Sequence, residues 1–444
     1  MSSYTISKEQ DTKAALTLKQ AIQKAHAKDD WLRKSELIEQ GLMHLSAGAT
    51  ALPDPTVSLS LLNLPSDGFA FNQEPMTQLK IGASQTFGRG DTLSLTQSKH
   101  QIAAQEQPYR RVDRRQKVAL HTTLLWLDAY QASNSYELIE QTSPLLDKLG
   151  AIVSASYASS SGNTSQQDII RAELELGRLQ DRLLSAQTRQ RVAMSKLSQF
   201  IGNDEAGLAD QLNTHFTLPE SLSLLSNAEK QQLASLKNTS PQILMEIIFE
   251  HPLVSAMEQQ IRAASVDIEI AKQSYKPQYA INASYALRDD APTQLGGNSR
   301  ADFFSVGLSV SLPLFSNTRQ DAQVAYSTQK TEAMRTEQRL VVRELIAALR
   351  SALDDYHGAS QRLIIYEEQI LPQMSQQSQA TLQAYANDRE GFAEVVSAKI
   401  AELDAKLTLL EIQVLQRKAL AQIFYCSSIN NNSINMQAVG ANHE

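Results

Sequence analysis

A single cysteine, Cys426, stands in a chain of 444 residues. An intrachain disulfide and a metal site built on clustered thiolates are both excluded. Charge of either sign is not in large excess: 41 Lys plus Arg face 48 Asp plus Glu, a formal net charge of −7. Non-specific nucleic-acid binding rests on surplus cations, so a nucleic-acid partner is not expected. No run of about 18 apolar residues occurs, which excludes a transmembrane helix. That test is blind to a membrane β-barrel, whose strands alternate polar and apolar residues. Glycine and proline are sparse, at 17 and 13, and aromatics make up 6%. Such a composition favours long helices, while 42% hydrophobic residues are too many for a disordered chain.

Catalytic patterns are missing as well. The sequence has no GxSxG, Walker or GxGxxG motif and no Cys–His arrangement that suggests a nucleophile. His26, His44, His100, His121, His215, His251, His357 and His443 are scattered without HxxxH or HxxE spacing, so they do not read as metal ligands. No enzyme and no cofactor is expected. Met1 to Gln20 has no apolar core and no small-residue cleavage site, so it does not read as a secretory signal. An exported form is expected to need a leader that these residues do not supply.

What is present is periodicity. Residues 332–366 are rich in Ala, Leu, Glu, Arg and Gln, and Leu340, Val341, Leu345, Ala348, Leu349 and Leu353 recur at helical spacing. Helices of that length are sustained by packing side by side, as in coiled coils. Four segments instead alternate with period two, the strand signal. In 278–288, Tyr279, Ile281, Ala283, Tyr285 and Leu287 share one face, and Gln278, Asn282, Ser284 and Arg288 the other. Residues 304–314 alternate likewise, and 56–62 and 77–87 are weaker versions.

The chain also repeats itself. Leu127-Asp128-Ala129-Tyr130 is matched 226 residues later by Leu353-Asp354-Asp355-Tyr356, and Gln190-Arg191 by Gln416-Arg417 at the same offset. Between them Pro144 pairs with Pro372, and Tyr157 with Tyr385, at 228, a slip of two residues that opens and then closes. Two structural repeats are expected, 1–220 and 221–444, each a helix, two strands and a helical hairpin. The hairpin turns fall near 157–167 and 385–392, with Asp168 as a helix N-cap. Arg89-Gly90-Asp91 reads as a turn and cap rather than an adhesion motif, and Cys426 as an inert apolar residue.

Four strands of about ten residues cannot close a membrane barrel, for which eight is the usual minimum. Several copies must then contribute strands to one barrel, because an open edge in lipid leaves amides unpaired. The alternative is a soluble coiled-coil scaffold with two solvated hairpins and no pore.

With these features on the page, the sequence resembles the TolC-type outer-membrane efflux family. The resemblance rests on His251-Pro252-Leu253-Val254-Ser255-Ala256 leading to Lys276-Pro277, on VGLSVSLPLF from Val306, and on the two Tyr-to-Gly turns. It also rests on LPDPTVSLSLLNLP from Leu52 and QEPMTQ from Gln73, which resemble a subgroup loosely associated with metal efflux. It implies a mainly α fold with four strands: a long coiled-coil α-hairpin bundle plus a twelve-stranded β-barrel shared by a homotrimer. It further implies an outer-membrane location with a periplasmic tunnel, a periplasmic adaptor (membrane fusion) protein and an inner-membrane pump, RND pumps being one type. The cargo would be small molecules or metal ions, or a protein in a type I secretion system. Carried over by position, Tyr157, Gly162, Asp168, Tyr385, Gly391, Phe392 and Glu394 become adaptor contacts at the tip. Asp388 becomes a candidate pore constriction that attracts cations. Each of these residues also has a plain reading as turn or cap chemistry.

Overall fold

A computed structural model of the chain describes residues 16–158, 166–202, 241–291, 296–387 and 389–427. Among them the order is α1 (Leu18–Ala27), α2 (Asp30–Gly48), β1 (Thr56–Leu62), β2 (Gln78–Thr86), α3 (Thr92–Ala158) and α4 (Gln166–Ile201). Then follow α5 (Pro241–Phe249), α6 (Pro252–Gln273), β3 (Gln278–Leu287), β4 (Phe303–Ser311) and α7 (Ser316–Ile365). A π-helical segment, Tyr366–Ile370, leads into α8 (Leu371–Ala386), and α9 (Phe392–Ser427) completes the chain. The fold is mainly helical with few strands, as the composition predicts. No helix among the described residues is long and apolar enough to cross a membrane.

The chain packs as two units. One comprises Met1–Leu32, Val112–His251 and Val342–Glu444; the other comprises Arg33–Arg111 and Pro252–Val341. In the first, Trp126 of α3 is fully buried and donates from Nε1 to Leu16 O at 3.0 Å, seating the start of α1. Around it Leu127, Tyr130, Leu197, Leu410 and Val414 form one core, and Ile139, Leu179, Val395, Val396 and Leu403 form another. Arg114 clamps Asp29 bidentately, with contacts of 2.8 and 3.0 Å. That hydrogen bond to a carboxylate, outweighing the cost of burial, pushes the guanidinium pKa further up. Matching bonds occur in the two hairpins: Gln190 Nε2 donates to Ser133 Oγ at 3.2 Å, and Gln416 Nε2 to Ser360 Oγ at 2.8 Å.

The second unit holds the sheet, four antiparallel strands in the order β1-β2-β3-β4. Its helices are tied by Lys99 to Asp267 at 2.7 Å and by Gln260 Nε2 to Glu106 Oε1 at 2.8 Å. Thr331 Oγ1 of α7 adds a bond to Ala264 O of α6 at 3.2 Å.

Two expectations need correction. The fourth strand stops at Ser311 rather than 314, because Pro313 has no N–H for the ladder even though Leu312 and Leu314 keep the alternation. Asp168 is not an N-cap: it lies within the helical residues of α4.

Candidate functional site

Two regions qualify: the sheet and the second hairpin turn. In the sheet, register lines up the odd-numbered residues of β1, β2 and β3 with the even-numbered residues of β4. Leu59 pairs with Ile81, Ile81 with Tyr285, and Tyr285 with Phe304. The row below runs Val57, Ala83, Ala283, Val306. This apolar face is uncovered: Val57 is 76% exposed, Leu59 69%, Phe304 71%, Val306 67% and Leu308 66%. The opposite face carries Ser58, Gly82, Ser284 and Ser305 in one row and Thr56, Ser84, Asn282 and Gly307 in the next. Asn282 Nδ2 donates to Ser309 Oγ at 2.8 Å on that face. Among the described residues, pairing within the sheet leaves the outer edges of β1 and β4 open. A wide bare apolar face is unusual in water and marks an interaction site, and open strand edges are templates for further pairing.

The Arg89-Gly90-Asp91 turn fastens this sheet to the helices. Arg89 donates to Ser274 O at 3.1 Å, Gln278 Oε1 at 3.4 Å and Ser311 Oγ at 3.5 Å. Gly90 has φ +47°, and Asp91, directly before α3, pairs with Lys276 at 2.7 Å. The tripeptide is a structural corner, as its place in the sequence suggests.

At the second hairpin, Asn387 closes α8: its N–H reaches Ala384 O at 3.1 Å and its Nδ2 donates to Gln383 O at 2.7 Å. Gly391 immediately precedes α9, Phe392 opens that helix, and the exposed Glu394 lies in its first turn, where a carboxylate suits the helix dipole. A Cβ on Gly391 would come within 2.5 Å of Glu394 Oε2. Tyr385 is partly buried against the Val395, Val396 and Leu403 core. Tyr157 lies in the last turn of α3. Gly162 and Asp388 fall outside the described residues.

Sequence reasoning missed a charge cluster in the same hairpin. Glu402 of α9 is buried, with Lys399 Nζ and Lys406 Nζ each 2.8 Å from its oxygens. Burial alone would raise its pKa, but the hydrogen bonds from Lys399, Lys406 and Ser378 of α8 outweigh it and hold the carboxyl at about 2. The Lys-x2-Glu-x3-Lys spacing was visible in the sequence; that Glu402 faces inward was not.

His251, part of the motif that carried the resemblance, is fully buried, edge-on to the Tyr425 ring at 5.0 Å with Nε2 3.2 Å from Tyr425 O. Burial lowers its pKa, so the ring is neutral. Tyr425 OH donates to Asp113 Oδ1 at 3.1 Å. Cys426 is buried and its thiol is pushed up to about 11, which keeps it unreactive. Among the described residues no group of His, Cys, Asp and Glu is placed to hold a metal ion.

This architecture of sheet and hairpins is similar to that of the outer-membrane channel OprN, with TM-score 0.73 and 14% identity over 92% of this chain and 89% of that one. The fold is that of an outer-membrane channel. The outer membrane protein VceC from Vibrio cholerae superposes with TM-score 0.72 and 12% identity, covering 92% of this chain and 95% of its own. The Campylobacter jejuni CmeC outer membrane channel gives 0.71 and 10%, covering 99% and 95%. Residues 244–425 match the family model described as outer membrane efflux protein. No curated protein matches the sequence. The family match covers residues 244–425, and over most of the chain the fold is similar to that of these outer-membrane channels.

Proposed function

We propose that the chain is one subunit of a passive exit duct in a bacterial outer membrane, reaching into the periplasm. The single observation that carries this is the uncovered apolar sheet face with both edges open. Three copies would supply twelve strands, pair β4 of one subunit with β1 of the next, and turn the apolar face to lipid. The Ser- and Asn-rich face would then line a water-filled lumen. A soluble scaffold gives no reason for Phe304, Val306 and Leu308 to stand in water.

The long helices would form the periplasmic tunnel as two repeats, 1–220 and 221–444. The matching Gln190–Ser133 and Gln416–Ser360 bonds support that division. The turns holding Tyr157, Gly162 and Asp168, and Tyr385, Gly391, Phe392 and Glu394, would meet a periplasmic adaptor, with Asp388 at the constriction. A partner inner-membrane pump would supply the energy, and the duct would open by rearranging its coiled coils. Its cargo would be small molecules or metal ions.

Planar-bilayer recording of the detergent-purified protein, expressed with a leader, tests this reading. Discrete, long-lived current steps from a membrane-fractionated trimer are expected. A protein that remains in solution without detergent and gives no steps would replace the duct with the scaffold.

A further inference from the structure

The polar face of the sheet carries charge of one sign. Lys80 is the single charged residue in the four strands. Register sets it opposite Ser60 on one side and Ala286 on the other, with Phe303 next in the row. The adjoining row, Ser58, Gly82, Ser284 and Ser305, brings no carboxylate near it. Among the described residues Lys80 forms no ion pair, and the four strands contain no Asp or Glu. Asp91 is held by Lys276 at 2.7 Å. Asp302 accepts from Tyr285 OH at 2.6 Å and from the Arg288 N–H at 2.9 Å.

Arginines also stand at both ends of this face, there with acids in the same loops: Asp289, Asp290 and Asp302 at the loop end and Asp91 at the helix end. At the loop end, the Arg288 guanidinium stacks 4.3 Å over the Phe303 ring and donates to Pro75 O at 2.9 Å. At the helix end, Arg89 donates to Gln278, Ser274 and Ser311, all of them neutral.

We infer that the barrel segment of the pore prefers anionic solutes over free cations, and that Lys80 is the residue that sets this preference. The inference rests on the duct reading and narrows its cargo: a bare divalent metal ion meets an unfavourable barrel, whereas an anionic or neutral organic solute does not. In a trimer each Lys80 would recur three times at one level around the axis, and Arg89 three times at another. Rings of lysine or arginine select for anions. The effect is strongest in dilute salt, because screening shortens the reach of each charge to about 8 Å at physiological ionic strength.

The test is the reversal potential of single channels of the full chain in a dilute KCl gradient, for wild-type Lys80, Lys80→Gln and Lys80→Glu, all in an Asp388→Asn background that removes the proposed acidic constriction. The Lys80 channel is expected to pass chloride in preference to potassium. Lys80→Gln should bring the permeability ratio toward unity, and Lys80→Glu should invert it several-fold. A cation-selective Lys80 channel, or reversal potentials that are the same for all three proteins, overturns the inference while leaving the duct intact. Absence of current steps from the wild type overturns the duct reading and the inference together.

Discussion

Ile81 of β2 stands directly across the ladder from Tyr285 of β3, and each leaves close to half its surface uncovered. In a soluble sheet that pair would lie under a second layer. In a barrel wall it faces acyl chains, where a lysine or arginine near the midplane costs about 2–4 kcal/mol. Ile81→Lys should therefore reduce the folded, membrane-integrated fraction sharply, whereas Ser284→Thr on the opposite face should not. Fractionation and resistance of the folded form to denaturant report the difference.

Glu402 makes the stability of the second hairpin depend on pH. Its carboxyl sits at about 2 in the folded protein, against an ordinary value of 4.5. The contribution is complete above the ordinary value and is lost as pH falls through about 2. Glu402→Gln should lower the melting temperature at neutral pH, through loss of charged hydrogen bonds worth roughly 1.5–3 kcal/mol each. The gap between variant and wild type should narrow steadily below pH 4.5. A gap that stays constant down to pH 2 would remove the role assigned to the ionised carboxyl.

Gly391 is open to a different test. A Cβ there displaces the Glu394 carboxylate, the flexible end of a side chain, so a larger residue is accommodated locally. Gly391→Trp should leave assembly intact yet impair export by crowding the proposed adaptor contact. Efflux that continues at the wild-type rate, measured in cells alongside the trimer level, would remove the tip assignment.

Gly90 contrasts with Gly391 because its φ is +47° and a Cβ would fall 2.3 Å from Lys276 Cδ and 2.5 Å from Gln273 Oε1. Left-handed backbone alone costs a non-glycine residue roughly 1–2 kcal/mol. Gly90→Ala should lower thermal stability measurably, while an Asp91→Asn exchange, which removes only the half-exposed pair with Lys276, should cost less.

The strands were readable to within a few residues because each has one apolar and one polar face, and period two survives without knowledge of neighbours. Residues 278–288 were expected and Gln278–Leu287 is found. The π-helical segment was not foreseen, although it lies between Tyr356 and Pro372, where the repeat slips by two residues. A π turn closes i to i+5 and so takes up extra sequence within a continuous helix. Asp168 was read as a cap because its residue type suits one, but capping depends on where the preceding backbone leaves the helix.

Composition and periodicity alone thus determined a chain of long helices with four alternating strands, since those properties are carried by each segment on its own. The strand order, the row from Leu59 to Phe304, and the exposure of that face required strands more than 190 residues apart to be brought together. The inward turn of Glu402 and the burial of His251 against Tyr425 were likewise decided only by packing. Sequence spacing sets which residues share a face, but only the tertiary structure sets what that face meets.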